Sequence, residues 1–149
     1  MSQINIRDFI PEDRTEYLRL SQNFYTSQAV THSIPENNFS RTFDQCLAQS
    51  PYLRGLALTL DNIFAGYALL SFTWSNEAGG LVLLLEEAYI DPAHQGTGLG
   101  SALLKFIEND RQNIKRIRLE VTPGNQAAIR LYERNGYAML DYLQMIKDL

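Results

Sequence analysis

The stretch Ile90-Asp91-Pro92-Ala93-His94-Gln95-Gly96-Thr97-Gly98-Leu99-Gly100-Ser101 joins two kinds of pattern. Before it, Leu81 to Leu85 are apolar at successive positions, as expected of a strand buried on both faces. After it, Leu99, Ala102, Leu103, Phe106 and Ile107 recur at helical spacing, which predicts a helix from about Thr97. A strand, a glycine turn and a helix start gather unpaired backbone N–H groups at the positive end of a helix dipole. Glycines let that backbone approach a phosphate and adopt left-handed dihedrals without steric cost. The turn is therefore a candidate anion site. It lacks the lysine of a Walker A loop. It also places Ser101 where a dinucleotide fingerprint needs its third glycine. Glu120 stands at a plausible distance for a ribose acid, but too little chain follows it to complete a doubly wound dinucleotide fold.

Working outward, residues 4–9 alternate as a first strand, and Pro11, Glu12 and Asp13 open a helix carrying Leu18, Leu20, Phe24 and Tyr25. Residues 26–38 read as a loop, and a second helix is expected over 39–48. Strands are predicted at 53–60, 63–74 and 81–90, with Asp61-Asn62 as a tight turn between the first two. Two short connections imply an antiparallel meander, with the doubly apolar third strand in a central position. Downstream of the glycine turn follow a strand at 114–121, a helix at 126–134 ended by Gly136, and a last strand at 137–146. The expected fold is α/β (α+β): a mixed, mostly antiparallel sheet with about four helices packed on it, in one domain over residues 1–149.

Composition agrees with one folded domain: 149 residues, 45% hydrophobic and 20% charged. The net charge of −4 argues against a sequence-independent grip on nucleic acid and suits a cationic acceptor. No apolar run is long enough for a membrane helix, and the charged start does not resemble a signal peptide, so a cytoplasmic protein is expected. Cys46 is the sole cysteine, which excludes an internal disulfide and a thiolate metal cluster; it is read as a packing residue, and no metal is expected.

Gln95-Gly96-Thr97-Gly98-Leu99-Gly100 resembles the Q/R-x-x-G-x-G/A signature of the GNAT N-acetyltransferases. Asn125, Ala128, Leu131, Tyr132, Gly136 and Tyr137 resemble that family's second motif, N-x-x-A-x-x-L-Y-x-x-x-G-F/Y, in the same order. Residues 84–90 also resemble the Y-L-E-D-L-Y/F-V of its diamine acetyltransferase branch. The resemblance implies acetyl-CoA as co-substrate. The pyrophosphate would be held by Gln95, Gly96, Thr97, Gly98, Leu99, Gly100 and Ser101, and the pantetheine arm by the backbone of Ala88, Tyr89 and Ile90, with Asn125 nearby. Gln95 in place of the commoner arginine removes one charge near the phosphates.

Acetyl transfer to an alkyl amine requires its neutral form, which is only about one part in 10³ at neutral pH. A carboxylate can accept that proton. By resemblance Glu86 is the base, and regular alternation would send Glu87 to the opposite face of the strand. Arg116 or Arg118 could instead pair with these acids. Tyr132, at the position of the family's acid, would protonate the departing thiolate. Asn125 also reads as a helix cap. By resemblance the acceptor pocket draws on Tyr25, Thr26, His32, Trp74 and Glu87, while His94 reads as a loop residue. The expected acceptor is a primary amine, of a small molecule or a peptide, and a homodimer is compatible with the family. Other readings are a protein N-acetyltransferase, an acetyl-CoA sensor without turnover, and, at a distance, an oxidoreductase.

Overall fold

The computed structural model describes residues 1–149 except Gln28 and Gln112. Five strands form one sheet in sequential order: β1 Ile4–Asp8, β2 Leu53–Leu60, β3 Ile63–Ser75, β4 Gly80–Ile90 and β5 Ile114–Leu119. The first four are antiparallel neighbours and β5 pairs parallel to β4. Four α-helices complete the fold: α1 Arg14–Tyr25, α2 Glu36–Leu47, α3 Leu99–Asn109 and α4 Gln126–Arg134. This is the mixed, mostly antiparallel sheet with four helices that the sequence predicts, and β4 lies inside it between β3 and β5.

The elements follow from local chemistry. Asp61 and Asn62 take φ of 51° and 67°, the left-handed pair that a two-residue hairpin between twisted strands requires. The Asp61 carboxylate accepts from the Gln3 amide at 2.7 Å, which ties β1 to that turn. Pro11–Asp13 forms a 3-10 turn, so α1 begins at Arg14, later than the proline suggested. Alternation along the strands then divides the interior in two. Leu56, Leu58, Leu70, Leu83 and Leu85 face α3 and α4 and pack with Leu99, Leu103, Leu104 and Ile107. Ala57, Tyr67 and Leu69 face α1 and α2, where they meet Tyr17, Leu20, Phe39 and Phe43.

Two irregularities of β4 open a gap in the sheet. Its register with β3 shifts, Leu69 standing opposite Glu87 and Leu70 opposite Leu85, so Glu86 is the extra residue of a β-bulge. Its pairing with β5 ends at Leu85–Leu119, while pairing with β3 continues to Ile90. β5 ends at Leu119, opposite Leu85, so among the described residues the β5-facing backbone of residues 86–90 has no strand partner.

Three expectations are corrected. The last strand at 137–146 does not form. Among the described residues no backbone N–H after Tyr137 bonds to another backbone group outside regular elements, and Leu143, Met145 and Ile146 are exposed at 99%, 97% and 82%. The apolar pattern is there, but a strand needs a neighbour to pair with. α3 starts at Leu99, because Gly98 takes φ 89° and leaves helical geometry at that residue. α2 starts at Glu36, three residues before the apolar pattern begins, since Pro35 holds the extended conformation that precedes a helix. Of the expected loop 26–38, Gln28 lies outside the described residues.

Candidate active site

A cleft of about 900 Å³ opens where β4 continues past the end of β5. One wall is β4 from Leu85 through Ala88, Tyr89 and Ile90; the floor is the glycine turn and the first turn of α3; the far wall is Asn125, Ala128, Leu131 and Tyr132 of α4. Phe24, Ser27 and Ala29 close the mouth from the end of α1.

The turn is built as an open anion cradle. Asp91 accepts from the Ala93 amide at 3.0 Å and from Arg19 at 2.8 Å, and the Arg19 contact holds its carboxyl below the ordinary range. Gly96 and Gly98 take φ of 75° and 89°. No side chain caps α3 at Gly98, and Thr97 turns its hydroxyl back to the His94 carbonyl at 2.6 Å. The first bond inside the helix runs from Ala102 to the Gly98 carbonyl, which leaves the amides of Leu99, Gly100 and Ser101 available to a ligand. A Cβ on Gly100 would stand 2.9 Å from the Leu131 side chain, so this glycine permits the close approach of α4 to α3. Leu99 itself is buried in the core and offers only its backbone.

The predicted residues Ala88, Tyr89, Ile90, Gln95, Gly96, Gly98, Leu99, Gly100, Ser101, Asn125 and Tyr132 therefore share one cleft. Thr97 does not line it. Asn125 caps α4 by accepting from the Ala128 amide at 3.3 Å, so the capping and cleft-lining readings hold together. Tyr132 is half-buried, with its ring centroid 5.9 Å from that of Tyr137. Burial raises its pKa, and its hydroxyl has no hydrogen-bond partner among the described residues. Sequence reasoning missed Phe24, Ser27, Gly124 and Arg134 in the lining. Arg134 closes α4 and supplies a cation on a wall where Gln95 supplies none, but its helical position looks like any exposed basic residue.

The two acids depart from the expected alternation. Because Glu86 is the bulge residue, it and Glu87 lie on the same face of the sheet, toward α1 and α2. Glu86 is exposed and accepts from Ser71 Oγ at 2.8 Å. Glu87 accepts from Tyr67 at 2.8 Å through one oxygen and from Tyr25 through the other. Burial raises the Glu87 pKa, opposed by the two phenols and assisted by the neighbouring Glu86 charge. Arg116 is engaged by Glu77 at 3.0 Å and pairs with neither acid. Tyr25 thus lies beside Glu87, to which its hydroxyl donates. Trp74 lies apart: it pairs with Leu81 at the far end of β4, four residues or about 13 Å from Leu85 at the usual strand rise, and is 74% exposed. His32 is exposed in the loop before α2, and His94 sits in the 3-10 turn Pro92–His94. Burial pushes the Cys46 thiol up to about 12, as expected of an unreactive packing residue. No helix among the described residues is long and apolar enough to cross a membrane, and no group of metal-ligating side chains is found among them.

Residues 14–137 match the Acetyltransferase (GNAT) family. The chain is 23% identical over 146 residues to a thialysine N-epsilon-acetyltransferase of Mus musculus, covering 91% of this chain and 85% of that protein. It is 31% identical over 85 residues to a streptothricin acetyltransferase of Streptomyces lavendulae, covering 56% of this chain and 43% of that protein, so it spans less than half the length of this relative. Among solved structures, a "possible acetyltransferase" of Clostridium difficile 630 superposes with a TM-score of 0.82 at 19% identity, covering 98% and 97% of the two chains. A chain from Clostridium acetobutylicum, described as a predicted acetyltransferase with acetyl-CoA, superposes at 0.74 and 17% identity, covering 97% and 96%. With its glycine cradle beside the unpaired end of β4, the chain belongs to the GNAT family of acetyltransferases.

Proposed function

We propose that the chain transfers acetyl from acetyl-CoA to the primary amine of a small molecule, in a ternary complex. The observation that carries this reading is the cleft itself: uncapped helix amides at one end, unpaired β4 backbone along one wall, and the free phenol of Tyr132 on the other. The residues fit the co-substrate. The amides of Gly98, Leu99, Gly100 and Ser101 are donors for a pyrophosphate, and residues 86–90 offer the groups that an amide-bearing arm pairs with. Bound there, acetyl-CoA supplies an activated acyl group.

The protein's own part is proton management. Glu86, exposed and with one oxygen free of protein partners, takes a proton from the incoming ammonium. The amine nitrogen then forms its bond to the acyl carbon as the carbon–sulfur bond breaks. Tyr132, kept protonated by burial, gives its proton to the sulfur. The second proton shed by nitrogen returns through solvent to Tyr132, so the products are an amide, a thiol and one proton on Glu86. Glu87, fixed by Tyr25 and Tyr67, places a carboxylate on the acceptor side and attracts a cationic substrate. The amine-bearing compounds in the names of the two relatives, thialysine and streptothricin, accord with such an acceptor.

A thiol-release screen over polyamines, amino acids, aminoglycosides and peptides in the presence of acetyl-CoA tests the reading. Turnover with a small amine is expected. Turnover with peptides alone would move the acceptor to proteins, and binding of acetyl-CoA without turnover on any amine would make the chain a sensor.

A further inference from the structure

Asp91 is a carboxylate in an unfavourable place. It joins β4 to the glycine turn, and its neighbour Pro92 already lines the cleft. The cleft is proposed to take a polyanion, yet Arg134 is the single charged side chain among the described residues that line it, and Gln95 and the backbone amides offer dipoles only. A bare negative charge beside the turn opposes any phosphate bound there, and near a protein surface it does so more strongly than in bulk water.

That charge is met from another element. Arg19 of α1 donates to one Asp91 oxygen at 2.8 Å, and its Nε donates to Glu16, a turn earlier on the same helix, at 2.8 Å. Glu16 thereby aims the guanidinium across to the turn. The other Asp91 oxygen accepts from the Ala93 amide at 3.0 Å and caps the 3-10 turn Pro92–His94, while the Asp91 amide donates to the Ala65 carbonyl at 2.8 Å. These local bonds shape the turn and would serve equally well around a neutral side chain. Only the bond to Arg19 addresses the charge. The Asp91 side chain is 15% exposed against 47% for Arg19, so water has little access to the carboxylate and the guanidinium is its chief counter-charge. Arg19 itself is not among the residues lining the cleft.

We propose that Arg19 is a positioning residue for acetyl-CoA, which cancels the negative charge of Asp91 beside the pyrophosphate cradle. The inference rests on the acetyl-CoA reading of the cleft. An ion pair that served the fold alone would contribute little at this exposure, and its loss would not depend on an anion. A pair that shields the cradle is felt by the bound anion, and only while the carboxylate is present.

Calorimetry of acetyl-CoA binding to the full chain tests this with Arg19→Gln, Asp91→Asn and the two together. Glutamine keeps the helix propensity of α1, and asparagine keeps an oxygen for the Ala93 amide. Arg19→Gln should raise Kd about ten-fold at low salt, and the difference should shrink as added salt screens the exposed carboxylate. Asp91→Asn should bind at least as tightly as the wild type, because Arg19 is then an uncompensated cation near the cradle. The double variant should return to within about three-fold of the wild type, a rescue that lost packing could not produce. Unchanged affinity in Arg19→Gln overturns the proposal, as does weakened binding in Asp91→Asn alone. A double variant as weak as Arg19→Gln also overturns it, since the arginine then acts without Asp91. If the wild-type chain itself fails to bind acetyl-CoA, the reading of the cleft falls first and this inference with it.

Discussion

At Glu87 a single carboxylate receives hydroxyls from two tyrosines while burial opposes its charge. Burial is the larger effect, so the proton leaves above the ordinary carboxylate range. If the proposed cationic acceptor binds beside Glu87, the ionised form should hold it, and its KM should fall as pH rises through that raised pKa. Glu87→Gln should raise KM and remove this fall, while Glu86→Gln should chiefly lower kcat. Steady-state profiles of the two variants check the division of labour, and a larger loss of kcat in Glu87→Gln would reassign the base by one residue. Stability runs the opposite way to acceptor binding. The folded state holds the Glu87 proton more tightly than the unfolded chain, so the favourable contribution of that proton is full below the ordinary range and is lost as pH rises through the folded pKa. Tyr132 offers a second residue-scale test. Its unpartnered phenol has no packing duty that phenylalanine could not fulfil, so Tyr132→Phe should lower kcat by roughly 10²-fold with little change in cofactor affinity, as single-turnover kinetics and calorimetry would show.

Elements decide whether such residues meet. Gly98→Asp places a carboxylate and a Cβ at a residue with φ 89° whose amide belongs to the anion cradle. Acetyl-CoA binding by calorimetry should be lost while the circular dichroism spectrum is retained: the nearest atom to the new Cβ, in the Ile4 side chain, stands 4.0 Å away, and the left-handed backbone costs only about 1–2 kcal/mol. This turn was legible in the sequence because backbone chemistry there depends on glycine and on the strand-to-helix change of period. The motif residues of α4 were legible only through the family resemblance, since helical spacing alone reads Tyr132 as a core residue. The bulge at Glu86 was not. Pleating is a regular expectation, and one added residue between Leu85 and Glu87 leaves no mark in composition, yet it brings both acids to one face. Nor was the displacement of Trp74, since an aromatic residue at a strand end looks the same whether it faces a pocket or solvent. The tail failed differently: its apolar pattern predicts a strand that does not form, because pairing is a property of the neighbour and cannot be read from the segment alone.

At the scale of the molecule, the cleft separates parts that the sheet otherwise holds in register. β4 is fastened to β3 along its whole length, while β5 is fastened to β4 only as far as Leu85, so α4 borders the cleft opposite β4 without a ladder between them. A ligand bridging β4, the glycine turn and α4 binds only the folded arrangement and must stabilise it by mass action. At a concentration of 100 times Kd the gain is about 2.7 kcal/mol. For a domain of this size that corresponds to a rise in Tm of roughly 5–10 °C, which a thermal melt with and without acetyl-CoA would register. NAD should give no shift, and neither should acetyl-CoA added to Gly98→Asp, because in each case the cradle and the ligand no longer match. An equal rise with NAD would mean that the cleft accepts a pyrophosphate without regard to the pantetheine arm, and the unpaired backbone of residues 86–90 would lose its assigned part in recognition.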